Sequence, residues 1–214
     1  MLRLLAAAAA LSLGIPVFCG AQTQGDVARP EVKVGDRWTY QRFDYDANQP
    51  RGRYEMRVVF AERGVIQVVM QRGQEEIDTA YTSEWNAMSI PGRLLNPHTG
   101  WFKFPLQVGA THDAAFDVVL LKKQVAESKN QRRVKVVGWE DVVVPAGKFR
   151  ALKIVSEGNF QRVDNTSMSG TSRNVIWYVP EVRRWAKITF ENRPKWTKGQ
   201  GEYSGEELVE YKLQ

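Results

Sequence analysis

Residues 142–155, VVVPAGKFRALKIV, set a proline between two apolar runs. Proline cannot donate to a sheet ladder, so inside a strand it would leave a gap, whereas in a turn its fixed φ of about −65° is an advantage. β-Branched residues lead up to Pro145, and a second apolar segment leaves from Phe149. Pro145 at the first turn position and Gly147, free to take positive φ, at the third suit a type I turn followed by a left-handed residue. The stretch predicts a β-hairpin whose turn is Pro145, Ala146 and Gly147.

Working outward, alternation with period two dominates from residue 31 onward, with no sustained helical period. YEMRVVFAE (54–62) and GVIQVVMQR (64–72) flank Arg63-Gly64 and read as paired strands, which IDTAYTSEW (77–85) continues. SEWNAMSIPGRLLNPHTG (83–100) carries an N-cap candidate at Ser83 and turn signals at Pro91-Gly92 and Asn96-Pro97, predicting a short helix or a structured loop. DAAFDVVLLKKQVAES (113–128) is read as a strand, because Phe116, Val118 and Leu120 alternate; Arg133 to Val144 would return beside it through a polar turn at Glu127 to Gln131. NVIWYVPEVRRWAKITFE (174–191) predicts a second proline-centred hairpin at Pro180, joined to the first by an exposed, mobile connection over 159–172. EELVEYKL (206–213), with Val209, Tyr211 and Leu213 on one face, predicts a closing strand. KVGDRWTY (33–40) and QVGATHDA (107–114) share Val-Gly followed three residues later by a ring, Trp38 or His112, and predict two equivalent strand starts. The fold class expected is all-β: a single curved antiparallel sheet or half-open β-barrel of about ten strands, with at most one or two short helices.

The N-terminus, MLRLLAAAAALSLGIPVFCGAQ, has one cation at Arg3, an uncharged apolar run from Leu4 to Val17, then small residues. This reads as a secretory signal over 1–21, cleaved after Ala21, because the run is shorter than the roughly 20 residues of a membrane span. Acylation of Cys19 is the less favoured alternative, since Phe18 stands where lipoprotein signals have a small residue. Residues 22–214 then form one β-rich domain without cysteine, located in the periplasm or secreted, and dependent on burial rather than disulfides. The chain carries +6, but its cations are scattered among acids. That argues against a nucleic-acid partner.

VGDRWTY (34–40), FPLQVG (104–109), VVVPAGKFRALKI (142–154) and IWYVPEVRRWAKI (176–188) in this order resemble the TapB-like family of secreted bacterial β-proteins, domains of unknown function. Their pattern is Val-Pro-Ala-Gly-Thr-Phe-x-Ala-Leu-Lys followed by a Trp-Tyr-x-Pro hairpin. The resemblance implies a half-open barrel like that of the lipoprotein carriers, a curved sheet around an apolar cavity, and it brings no catalytic residues with it. This chain departs at Lys148, where the family has Thr, and at Glu181-Val182-Arg183-Arg184, where it has a Gly-containing turn and an apolar follower.

Chemistry-bearing motifs are sparse. Two histidines, His98 and His112, and no cysteine after residue 21 cannot build a zinc site of His and Cys, and no loop has calcium spacing. Gly-x-Ser-x-Gly, Walker and dinucleotide motifs are missing, and the carboxylate pairs Glu75-Glu76 and Glu206-Glu207 would point to opposite faces of a strand. The reading is a non-enzyme without cofactor or metal. The richer signal is aromatic: seven tryptophans, with Trp101, Phe102 and Phe104 in a dense group. The rings either fill the core of a wide sheet or, in Trp85, Trp101, Phe104, Trp177 and Trp185, line a cavity for lipid or lipidated peptide. Lys195, Trp196 and Lys198 are candidates for a surface contact with an envelope protein or anionic surface. Two functions follow: an envelope protein binding an apolar or amphipathic ligand in its concavity, or an assembly scaffold acting through its outer surface.

Overall fold

A computed structural model describes residues 25–197 and 201–214. The predicted signal and Cys19 lie outside the described residues. The strands are β1 (Arg37–Asp44), β2 (Gln49–Glu62), β3 (Val65–Arg72), β4 (Glu75–Thr82), β5 (Ser89–Ile90), β6 (Arg93–Asn96), β7 (Thr111–Leu120), β8 (Val125–Val144), β9 (Gly147–Arg162), β10 (Ser169–Val179), β11 (Arg184–Pro194) and β12 (Glu202–Lys212). All twelve belong to one antiparallel sheet ordered β4-β3-β2-β1-β12-β11-β10-β9-β8-β7-β6-β5. Every hydrogen-bonded pair but one joins sequence neighbours, and the exception, β1 with β12, joins the first strand to the last. The remaining seam, between β4 and β5, is bridged by Tyr81 and Ala87 and by the Met88 N–H to the Ala80 carbonyl at 2.8 Å. The result is a nearly closed up-and-down barrel, which hides most of the edge an open sheet would expose.

The 142–155 stretch forms a hairpin as predicted, with a turn of two residues rather than three. Val144 pairs with Gly147, so Pro145 and Ala146 stand outside the ladder, and Gly147 takes φ 137°. The turn is tied across the barrel by the Ala146 N–H to the Leu208 carbonyl, at 3.0 Å.

The Val-Gly echo corresponds to two turns of the same construction. Asp36 N–H bonds Lys33 O at 3.1 Å and Ala110 N–H bonds Gln107 O at 3.0 Å, with Gly35 at φ 93° and Gly109 at φ 87°. Each glycine N–H also reaches the neighbouring strand, at Val58 O (2.9 Å) and Val136 O (2.8 Å), and the Val58 and Val136 N–H groups return the bond to Asp36 and Ala110. Only glycine readily takes the positive φ that such a turn requires.

Of the two readings of residues 83–100 the structured loop holds, and it carries β5 and β6. Three expectations are corrected. The strands among the described residues number twelve rather than about ten. The β7–β8 turn lies at 121–124 rather than at Glu127 to Gln131, because Val125 and Ala126 pair with Leu120 and Val119 and the polar run continues as strand. The connection over 159–172 shrinks to 163–168, since Asn159 to Gln161 pair with Thr171 to Ser169. In β12 the residue facing the core is Leu208, on the face opposite Val209.

Candidate functional site

The barrel interior divides into a packed middle and a more open end. The middle is organised by the β10–β11 turn. After a 3-10 turn at Pro180–Val182, Arg183 takes φ 58° and Arg184 begins β11. Trp38 Nε1, Trp85 Nε1 and Tyr40 OH donate to the carbonyls of Val182, Arg183 and Trp185, each at 2.8 Å, so the wide rings are anchored by polar handles. Arg183 turns outward to Asp36, a fully buried carboxylate 3.1 Å away.

Arg184 turns inward and is 0% exposed. Its guanidinium carbon lies 3.7 Å from the ring centroid of Trp185, 4.1 Å from Trp85, 5.1 Å from Tyr81, 5.5 Å from Trp38 and 5.9 Å from Tyr40. Nη2 contacts Met56 Sδ at 3.1 Å, while Nε and Nη1 have no hydrogen-bond partner. Ring faces thus supply the electrostatic compensation a carboxylate would otherwise give. Beside the cage Glu206, buried, accepts from Trp185 Nε1 at 2.9 Å and from Tyr54 OH. Burial pushes the Tyr40 and Tyr54 phenols well above their usual range, and for Tyr54 the Glu206 charge adds to the effect.

The open end is built by β7 to β11, which run on past the cage. On their inner face Ala114, Arg132, Gly158, Ser172 and Asn192 lie in cross-strand register, and the adjoining row holds Val134, Ser156, Asn174 and Phe190. Arg132 is 9% exposed. It donates from Nη1 to Asn159 O at 3.1 Å and from Nη2 to Asn130 Oδ1 at 3.0 Å, and it lies 5.9 Å from the Phe116 ring centroid. Its Nε is unpartnered, as are the buried hydroxyls of Ser156 and Ser172 and the indole N–H of Trp101. Burial alone lowers the Arg132 pKa from 12.5 to about 10. Trp101, Phe160 and Phe190 in this part keep some of their surface in solvent.

Of the five predicted cavity residues, the interior gathers four. Trp85 and Trp101 each lie 6.5 Å from Trp185, and Phe104 stacks on Phe102 at 6.1 Å, which itself stacks on Trp185 at 6.2 Å. The rings pack on one another because the loop after β6 threads inside, held where the Asn86 side chain exchanges two 2.8 Å hydrogen bonds with the Phe102 backbone. Trp177 belongs elsewhere and is corrected: it lies on the opposite face of β10 from Ile176 and Tyr178, with Lys153 and Lys187 over its ring at 5.5 and 5.8 Å and its N–H on Glu140. Trp196 is 43% exposed and lies edge-on to Phe160 at 6.1 Å, with Lys195 beside it in a 3-10 turn; Lys198 lies outside the described residues. Glu206 and Glu207 point to opposite faces, Glu207 reaching Lys187 at 2.7 Å outside. The scattered charges also have an order: Asp113, Arg133, Glu157, Arg173 and Glu191 form an alternating row across five strands of the outer face.

Sequence reasoning missed Arg132, Ser156, Ser172, Arg184 and Glu206. Arg132 was detectable, since it falls in phase with Val134 and Val136. An arginine on the buried phase of a strand is uncommon enough to mark a special interior.

No family model and no curated protein matches the chain. Solved structures do. A Bacteroides fragilis protein described as exported and of YmcC-like fold aligns over 88% of this chain and 100% of its own, at 15% identity and a TM-score of 0.51. A protein from Parabacteroides distasonis, described as a lipoprotein, aligns over the same shares at 13% identity and a TM-score of 0.54. The chain shares their fold. At these identities the likeness extends to architecture alone.

Proposed function

We propose that the chain is a non-catalytic envelope protein that takes an amphipathic ligand, lipid or lipidated peptide, on the inner face of the open end of its barrel. The carrying observation is the composition of that face, where partly exposed Trp101, Phe160 and Phe190 adjoin buried polar groups without partners. Rings can receive an acyl chain, and the polar groups can orient a head. The packed middle around Arg184 is the floor of this site. The reading takes residues 1–21 as a signal and 22–214 as one exported domain of the periplasm or the outside of the cell, and the two solved structures described as exported or as a lipoprotein favour that compartment. The TapB-like motifs belong to this reading.

Native mass spectrometry of protein purified from the envelope fraction, with tryptophan emission during titration with dodecanoate, tests it. A bound mass that falls away on delipidation, and an emission change on refilling, are expected. A clean apo mass with unchanged emission would favour the scaffold reading. That second reading has its own support: the chain's own rings fill the middle of the barrel, and Trp196 stands exposed beside Lys195 at the tip.

A further inference from the structure

We infer that Arg132, with the hydroxyls of Ser156 and Ser172 and the indole N–H of Trp101, forms a subsite for an anionic oxygen head group, carboxylate or phosphate, of the amphipathic ligand. This deepens the proposed function and rests on it.

The first observation is an imbalance of donors. Arg132 is buried among Phe116, Asn130 and backbone, and no carboxylate of the described residues lies within ion-pair distance of it. A buried charge without a counter-ion is costly, and it is ordinarily paired or hydrogen-bonded on all sides. Here Nε remains free, while the two hydroxyls and the indole N–H in this part of the interior are also unpartnered. An anion would supply the acceptors that these donors lack, and the Nε edge of a guanidinium suits the two oxygens of a carboxylate or phosphate.

The second observation is placement. Ser172 and Arg132 both register with Gly158, so no side chain stands between them on the β9 strand. Ser156 is two residues from Gly158 on the same strand face. Trp101 reaches this region from the threaded loop, its ring 6.2 Å from Phe190, the residue of β11 that lies in the Ser156 row. Phe160 lies one row beyond Arg132 and Ser172, and Phe190 shares the Ser156 row, so donors and partly exposed rings stand side by side on one inner face, as an amphipathic molecule would need.

Arg184 shows how a buried arginine is compensated in this barrel when its role is packing. Five rings surround Arg184. Arg132 has the Phe116 ring alone among its described cation–ring contacts.

Delipidated protein is titrated with dodecanoate, dodecyl phosphate, dodecanol, acetate and inorganic phosphate, read by calorimetry and tryptophan emission. The two anionic dodecyl compounds should bind at least about tenfold more tightly than dodecanol, as expected when charge-assisted hydrogen bonds are made in a buried site. Arg132→Gln should abolish that preference, bringing the anionic dodecyl compounds to the affinity of dodecanol. The double variant Ser156→Ala/Ser172→Ala should weaken it in the same direction, and it provides the test if Arg132→Gln melts at a lower temperature. Tight binding of acetate or inorganic phosphate that is lost in Arg132→Gln would support the anion subsite while pointing to a free anion as its source. Equal binding of dodecanol and dodecanoate, or a preference that survives both variants, would overturn the subsite and leave the ligand-binding reading standing. Binding of none of the five would overturn both.

Discussion

Two arginines lie inside this barrel, and they are compensated differently. Arg184, 0% exposed at the start of β11, is enclosed by rings drawn from β1, β4, β11 and the loop after β4. Arg132, 9% exposed on β8, has one ring, two acceptors and an unpartnered Nε. In the cage the planar guanidinium itself is a packing element, stacked on aromatic faces. At the open end it is a buried charge without a counter-ion among the described residues. The same residue type therefore serves the fold in one place and, on the proposed reading, a ligand in the other.

Breaking the cage should give the largest effect. Trp185→Ala removes the ring that stacks on Arg184 and Phe102 and donates to Glu206, and it should cost about 3–5 kcal/mol in denaturant unfolding. A loss below about 1 kcal/mol would show that the cage does not hold the barrel. Arg184→Lys keeps the charge but replaces a stacking plane with a compact, strongly hydrated ammonium, and about 2 kcal/mol should be lost. An unchanged midpoint would mean that charge alone matters there.

Alkali probes the same region. Tyr40 and Tyr54 titrate in the fold well above the ordinary phenol value of 10.0, chiefly through burial. Their contribution to stability is fully present below that ordinary value and is lost as pH rises above it, because the unfolded chain releases the protons first. The prediction is a cooperative alkaline transition in which tyrosinate absorbance from these rings and loss of sheet circular dichroism coincide. Tyrosinate from Tyr40 and Tyr54 appearing while the sheet is intact would contradict the burial described.

The smallest effect is expected at the open end. Arg132→Met, removing a buried unpaired charge, should leave ligand-free stability within about 1 kcal/mol of the parent or raise it. A loss above about 2 kcal/mol would show that the bonds to Asn159 and Asn130 hold the sheet, making Arg132 a second structural arginine.

The architecture was largely legible from local chemistry. Alternation marks the strands, Pro145 and Pro180 mark two hairpins, and Val-Gly at 34–35 and 108–109 marks two equivalent turns, because each signal depends on a few adjacent residues. The β7–β8 turn was misplaced because Glu127 to Gln131 is a polar run inside a strand, and there alternation of apolar and polar residues no longer reports the strand. The candidate site was legible only in part. Trp85, Trp101, Phe104 and Trp185 do meet, but Trp177 could not be assigned a face, since a register shift between Trp177 and Tyr178 separates its strand phase from that of the turn.

By itself the sequence determined most of the strands, the two proline-centred hairpins and the antiparallel all-β class, since period-two patterning and turn residues act over a few positions. Only the tertiary structure decided which phase of each strand faces inward and which distant groups meet there. Trp38 and Arg184 stand far apart in the chain, and they come together because β1 closes on β12 beside β11. Alternation says that neighbouring side chains oppose each other, whereas barrel closure chooses the buried side, and that choice encloses one arginine in rings and leaves the other with an open donor.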